Sequence, residues 1–235
     1  MHKIKGFTLA EVLITLGIIG VVAALTLPSV IQNYQKKVTV ERLKKTYSTL
    51  AQAIQMSVKD NDEVESWDFS LSTLDFTNKY ILPYVKDIKE IEQNSPEGYK
   101  ATNVYALADG TTFYAWSWVN PLVKPFVEIV IDTNGTKGPN AYGKDIFIYY
   151  IFSQKEDVRY NGGQGDVATK VPRGGLYPDG YGYSREVLLN DRWRGCNKRG
   201  EKATYNDEER NNSGGAFCTA LIMLDGWEIS DDYKW

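Results

Sequence analysis

One carboxylate stands inside an otherwise uncharged apolar run. Residues 7–27 carry a single charge, Glu11, among Phe, Leu, Val, Ile, Ala, Gly and Thr. An unpaired acid at membrane depth costs on the order of 3 kcal/mol on insertion scales, so its presence calls for a function and a partner. No Lys or Arg lies within the run to supply that partner. A second grouping with chemical potential begins at Asp132-Thr133-Asn134-Gly135 and closes with Gly143 and Asp145. Asp132, Asn134 and Asp145 offer hard oxygens of the kind that hold calcium. The same residues also make an Asx-type turn between two strands, with glycines supplying positive φ. Further acidic positions and a bidentate glutamate are missing, and Lys137 adds a repelling charge, so the turn is favoured over the cation loop. Arg192, Arg194, Lys198, Arg199 and Lys202, near Trp193 and Tyr205, could grip a nucleic acid. Asp191, Glu201, Asp207, Glu208 and Glu209 interrupt them, and the chain as a whole has 27 Lys+Arg against 30 Asp+Glu. Nucleic-acid binding is therefore disfavoured.

These groups are carried by two unlike halves. At 1.5 Å per residue the apolar run is about 30 Å long as a helix, enough to cross a hydrocarbon core. Pro28 follows, where a proline kinks or loosens a helix. Beyond it Ile31, Tyr34, Val38, Leu43, Tyr47, Leu50, Ile54 and Val58 form a helical stripe among Lys36, Lys37, Glu41, Arg42, Lys44 and Lys45. The reading is one helix over residues 7–60, naked at the front and packed on a head domain, residues 61–235, at the rear. Asn61-Asp62-Glu63 breaks the stripe, and Ser72 with Asp75 caps a short helix near 73–81, ended by Pro83. Residues 103–107 and 111–116 flank Asp109-Gly110 as a hairpin, and residues 126–131 and 146–152 are β-branched and aromatic strands. About four antiparallel strands covering the helix's stripe make the chain α+β. Apart from Gly6, Gly17 and Gly20, the 20 glycines lie from Gly98 onward. Residues 153–215 read as long loops, and 216–224 as a last short helix.

The leader Met1-His2-Lys3-Ile4-Lys5-Gly6, then Phe7-Thr8-Leu9-Ala10-Glu11 and the apolar run, resembles the signal of type IV prepilins and type II secretion pseudopilins. An ordinary signal peptide cut near Val22-Ala23-Ala24, or a plain uncleaved anchor, leaves Glu11 unexplained. The resemblance implies a type IV pilin-like fold, a leader peptide of residues 1–6, cleavage between Gly6 and Phe7, and N-methylation of Phe7. It also implies roles in assembly for Glu11 and Pro28, with the α-amine of Phe7 on a neighbouring subunit neutralising Glu11. Implied partners are other pilins, the prepilin peptidase, an assembly ATPase and an inner-membrane platform protein. The implied location is a single pass through the bacterial inner membrane, N-terminus cytoplasmic, and later a periplasmic or surface filament. Cleavage would remove His2, the only histidine. That excludes Ser-His-Asp and Cys-His catalysis and His-ligated metals from the mature chain, and no enzyme framework is left. In such an exported chain Cys196 and Cys218, the only cysteines, read as a disulfide closing a C-terminal loop; two unpaired buried thiols are the alternative. No cofactor is implied, calcium in the Asp132 loop being the one candidate. The competing function is that of a membrane-anchored adhesin using the helix only as an anchor.

Overall fold

The computed structural model describes residues 7–91, 103–120, 123–135, 137–153, 158–159, 168–169, 175–191, 194–198, 214–233 and 235. The chain divides into two compact units, Met1–Val38 and Thr39–Trp235. A long helix, α1 (Leu9–Asn61), begins in the first unit and ends in the second.

In the first unit the large apolar side chains from Phe7 to Tyr34 are exposed, with Leu13, Leu16 and Ile18 each at 60%. A helix of this length and hydropathy is apolar enough to cross a membrane. Its hydroxyls bond within the helix: Thr15 donates to the Glu11 carbonyl at 2.7 Å and Thr26 to the Val22 carbonyl at 2.9 Å. Such self-sufficiency suits a segment with no water to bond. The helix continues through Pro28. The missing N–H leaves the Ala24 carbonyl without its usual donor, a local loosening rather than a stop.

In the second unit Val40, Leu43, Thr46, Leu50, Ala53, Ile54 and Ser57 are the buried face of α1, recurring at spacings of three and four. Strand β1 (Lys89–Ile91), β2 (Val104–Ala106), β3 (Thr112–Asn120), β4 (Val123–Asp132) and β5 (Ile146–Phe152) follow a short helix, α2 (Thr73–Tyr80). Next come β6 (Val158–Arg159), β7 (Ala168–Thr169), β8 (Leu176–Pro178), α3 (Arg185–Asn190) and α4 (Cys218–Leu224). Six strands form one antiparallel sheet in the order β1-β2-β3-β4-β5-β8, and β6 and β7 pair separately. Strand alternation decides which residues meet the helix. Val127, Ile129 and Ile131 of β4 and Phe147, Tyr149 and Ile151 of β5 share a core with Leu43, Leu50 and Ile54. Tyr47 stacks on Tyr149 with ring centroids 5.3 Å apart. Val130, Ile148 and Tyr150 point to the other face, into a second buried cluster with Tyr114 and Ala216.

The cap on α2 is the expected one: Ser72 Oγ accepts from the Asp75 N–H. The hairpin also forms, Gly110 taking φ +83° between β2 and β3. The sheet has two strands more than the four expected. Both additions, β1 and β8, are edge strands of three residues, too short to show periodicity, and β8 ends in a proline that only an edge tolerates. Within 153–215, expected to be loops, the structure places β6, β7, β8 and α3. Front stripe residues Ile31 and Tyr34 are exposed rather than covered.

Candidate functional site

The head of α1 carries the first candidate grouping. Glu11 sits in the first turn, with Thr8 immediately before the helix. The Thr8 N–H and Thr8 Oγ1 both donate to Glu11 Oε2, at 2.8 and 2.9 Å, and the Glu11 N–H donates back to Thr8 Oγ1 at 3.3 Å. This is a capping box, and its Thr-x-x-Glu pattern was legible in the sequence. Reasoning from charge alone looked for a cation and missed a hydroxyl. Phe7 is exposed beside Thr8, while Gly6 lies outside the described residues.

The second grouping joins β4 to β5. Asp132 Oδ1 accepts from the Asn134 and Gly135 N–H groups, each at 3.0 Å. Asn134 Nδ2 donates to Asp145 Oδ2 at 2.8 Å, and Asp145 also accepts from the N–H groups of Asn140 and Ala141. Asp132, Asn134 and Asp145 are thus brought together, and most of their oxygens serve as acceptors that shape the turn. Among the described residues no three His, Cys, Asp or Glu side chains are placed to hold a metal. Burial pushes the Asp132 carboxyl up to about 7; the Asn134 and Gly135 N–H groups oppose the shift and the nearby Asp145 adds to it. Arg42 of α1 donates to the Thr133 carbonyl at 2.9 Å, tying this loop to the rear of the helix.

The third grouping is the C-terminal region. Cys196 and Cys218 form a disulfide, and both are fully buried. Gly143, at φ +74°, packs against it: a Cβ there would stand 2.4 Å from Cys218 Sγ. Thr219, next to Cys218, accepts through Oγ1 from the Ile148 N–H of β5, and the Tyr233 hydroxyl donates to the Gly143 carbonyl. Of the basic cluster, Arg192, Arg199 and Lys202 lie outside the described residues, as do Trp193 and Tyr205. Arg194 is engaged with Asp179 at 2.6 Å; burial pushes that carboxyl up while the guanidinium opposes the shift. Arg185 pairs with Asp225 and Asp232 at 2.9 and 2.7 Å, pinning α3 to the tail. The sequence reading did not single out Arg185, whose partners are 40 and 47 residues away.

Residues 1–27 match the model of the Prokaryotic N-terminal methylation motif. With the exposed apolar helix behind it, that motif defines a type IV pilin-like precursor, a structural subunit by class and one fitted to anchorage in the inner membrane. The chain belongs to the Family of unknown function (DUF6613), whose model matches residues 29–235. No curated protein and no solved structure matches it.

Proposed function

We propose that the chain is a filament subunit of a type IV pilus or a type II secretion system, made as a precursor and assembled through its N-terminal helix. In this reading residues 1–6 are a leader cut after Gly6, and Phe7 becomes the N-methylated terminus. Residues 7–60 are the assembly helix, and residues 61–235 form the head at the filament surface. Glu11 is neutralised by the α-amine of Phe7 on an adjacent subunit once helices bundle away from lipid. Loosening at Pro28 lets the front helix adjust as it packs. An assembly ATPase and an inner-membrane platform protein would drive the addition of subunits.

The observation that carries the reading is the front of α1. It presents large apolar side chains all round, bears the methylation motif, and has one acid at its head. A helix apolar all round needs lipid or other helices as its surroundings. The test is mass spectrometry of the mature chain together with its recovery in sheared filament fractions. A chain beginning at N-methylated Phe7 and found in filaments is the expected result. A terminus near Leu25 would mean an ordinary signal peptide and overturn it, whereas retention only as a membrane monomer would overturn it in favour of the anchored adhesin.

A further inference from the structure

Glu11 already has a partner in its own chain. Its carboxylate accepts two hydrogen bonds from Thr8, and its N–H returns a third to the Thr8 hydroxyl. The Glu11 carbonyl in turn accepts from Thr15 at 2.7 Å. The ring formed by Thr8 and Glu11 holds the acid at the first turn of α1, where the helix dipole favours negative charge. No Lys or Arg occurs between Phe7 and Gln35, so no cationic side chain in this stretch competes for it.

We propose that Thr8 is a positioning residue for Glu11, holding the carboxylate hydrogen-bonded at the head of the helix while the chain stands alone in the bilayer. The acid that later needs a cation in a filament is in this way tolerated before any filament exists. The hydroxyl matters more than the side chain's bulk, because it donates to the carboxylate and accepts from the backbone at the same time. This inference rests on the membrane-anchored precursor and not on filament formation, so the two fail separately.

The test is a double-mutant cycle on the full-length chain, in a host lacking a prepilin peptidase so that neither cleavage nor assembly intervenes. The readout is the ratio of membrane-retained to extracted chain, at the urea concentration that extracts half of the wild type. Thr8→Val is isosteric and removes both roles of the hydroxyl. Its effect on the ratio should be less favourable with Glu11 present than in a Glu11→Val background by about fivefold, the typical worth of an N-cap side chain. Thr8→Ser should behave as wild type in both backgrounds. An identical effect of Thr8→Val in the two backgrounds would reduce Thr8 to a generic helix start and overturn the proposal. So would failure of Thr8→Ser to restore the wild-type ratio.

Discussion

Removing the disulfide tests how the C-terminal region is held. Cys196 and Cys218 are 22 residues apart, and both sulfurs are fully buried. In the chain-entropy account, closing a loop of that length removes freedom from the unfolded chain worth about 3 kcal/mol. For a unit the size of Thr39–Trp235, that corresponds to a fall of about 6–12 °C in melting temperature. The double substitution Cys196→Ala and Cys218→Ala avoids leaving hydroxyls in an apolar site. The loss should be local at first. Thr219 receives the Ile148 N–H and Gly143 packs on Cys218 Sγ, so the start of α4 and the Gly143 turn should gain protease sensitivity before the β3–β4–β5 sheet does. The assay is thermal unfolding of the detergent-solubilised chain, with limited proteolysis followed by peptide mapping. A variant melting within a degree or two of the wild type would show that the bridge only decorates a region already held by packing, and would refute the reasoning.

Asp132 should make the second unit pH-sensitive. Its folded carboxyl titrates at about 7 instead of near the ordinary 3.8. Folding therefore favours the protonated form, and its contribution is complete below pH 4 and lost as pH rises through 7. Asp132→Asn keeps the acceptor for the Asn134 and Gly135 N–H groups, and its melting temperature should fall less between pH 5 and 8 than that of the wild type. Parallel curves would remove Asp132 from the account. Leu50→Ala deletes a fully buried side chain from the helix–sheet core and should cost about 2–5 kcal/mol in chemical denaturation. Leu16→Ala, on the exposed front of α1, should leave that midpoint unchanged, and a matching loss would contradict its exposure. Gly143→Ala should lower yield and melting temperature together, since a methyl must displace Cys218 Sγ at a positive φ. Glu11→Val should stay in the membrane at least as well as the wild type yet give fewer sheared filaments, and equal filament yield would refute the amine-pairing role.

Local pattern was enough for part of this protein. The apolar run with one acid, the helical stripe from Leu43 to Ile54, the Ser72–Asp75 cap and the Asp109-Gly110 hairpin are each written within a few neighbouring residues, and each forms. The cysteine pairing was legible because only two are present. Tertiary structure decided what no short window contains. β1 and β8 exist because β2 and β5 offer edges to pair with, and three residues carry no period of their own. The exposure of Ile31 and Tyr34, against the burial of Leu43 and Leu50 on the same helix, depends on which stretch of α1 belongs with the sheet. Sequence favours Asp132 and Asp145 as turn formers over ion ligands, but which backbone N–H groups their oxygens accept from depends on how the loop folds. Arg185 meets Asp225 and Asp232, and Gly143 meets Cys218, only because the folded chain brings distant segments to one place. Hydrogen bonds between near neighbours follow from sequence spacing, whereas burial and long-range pairing depend on the whole chain closing on itself.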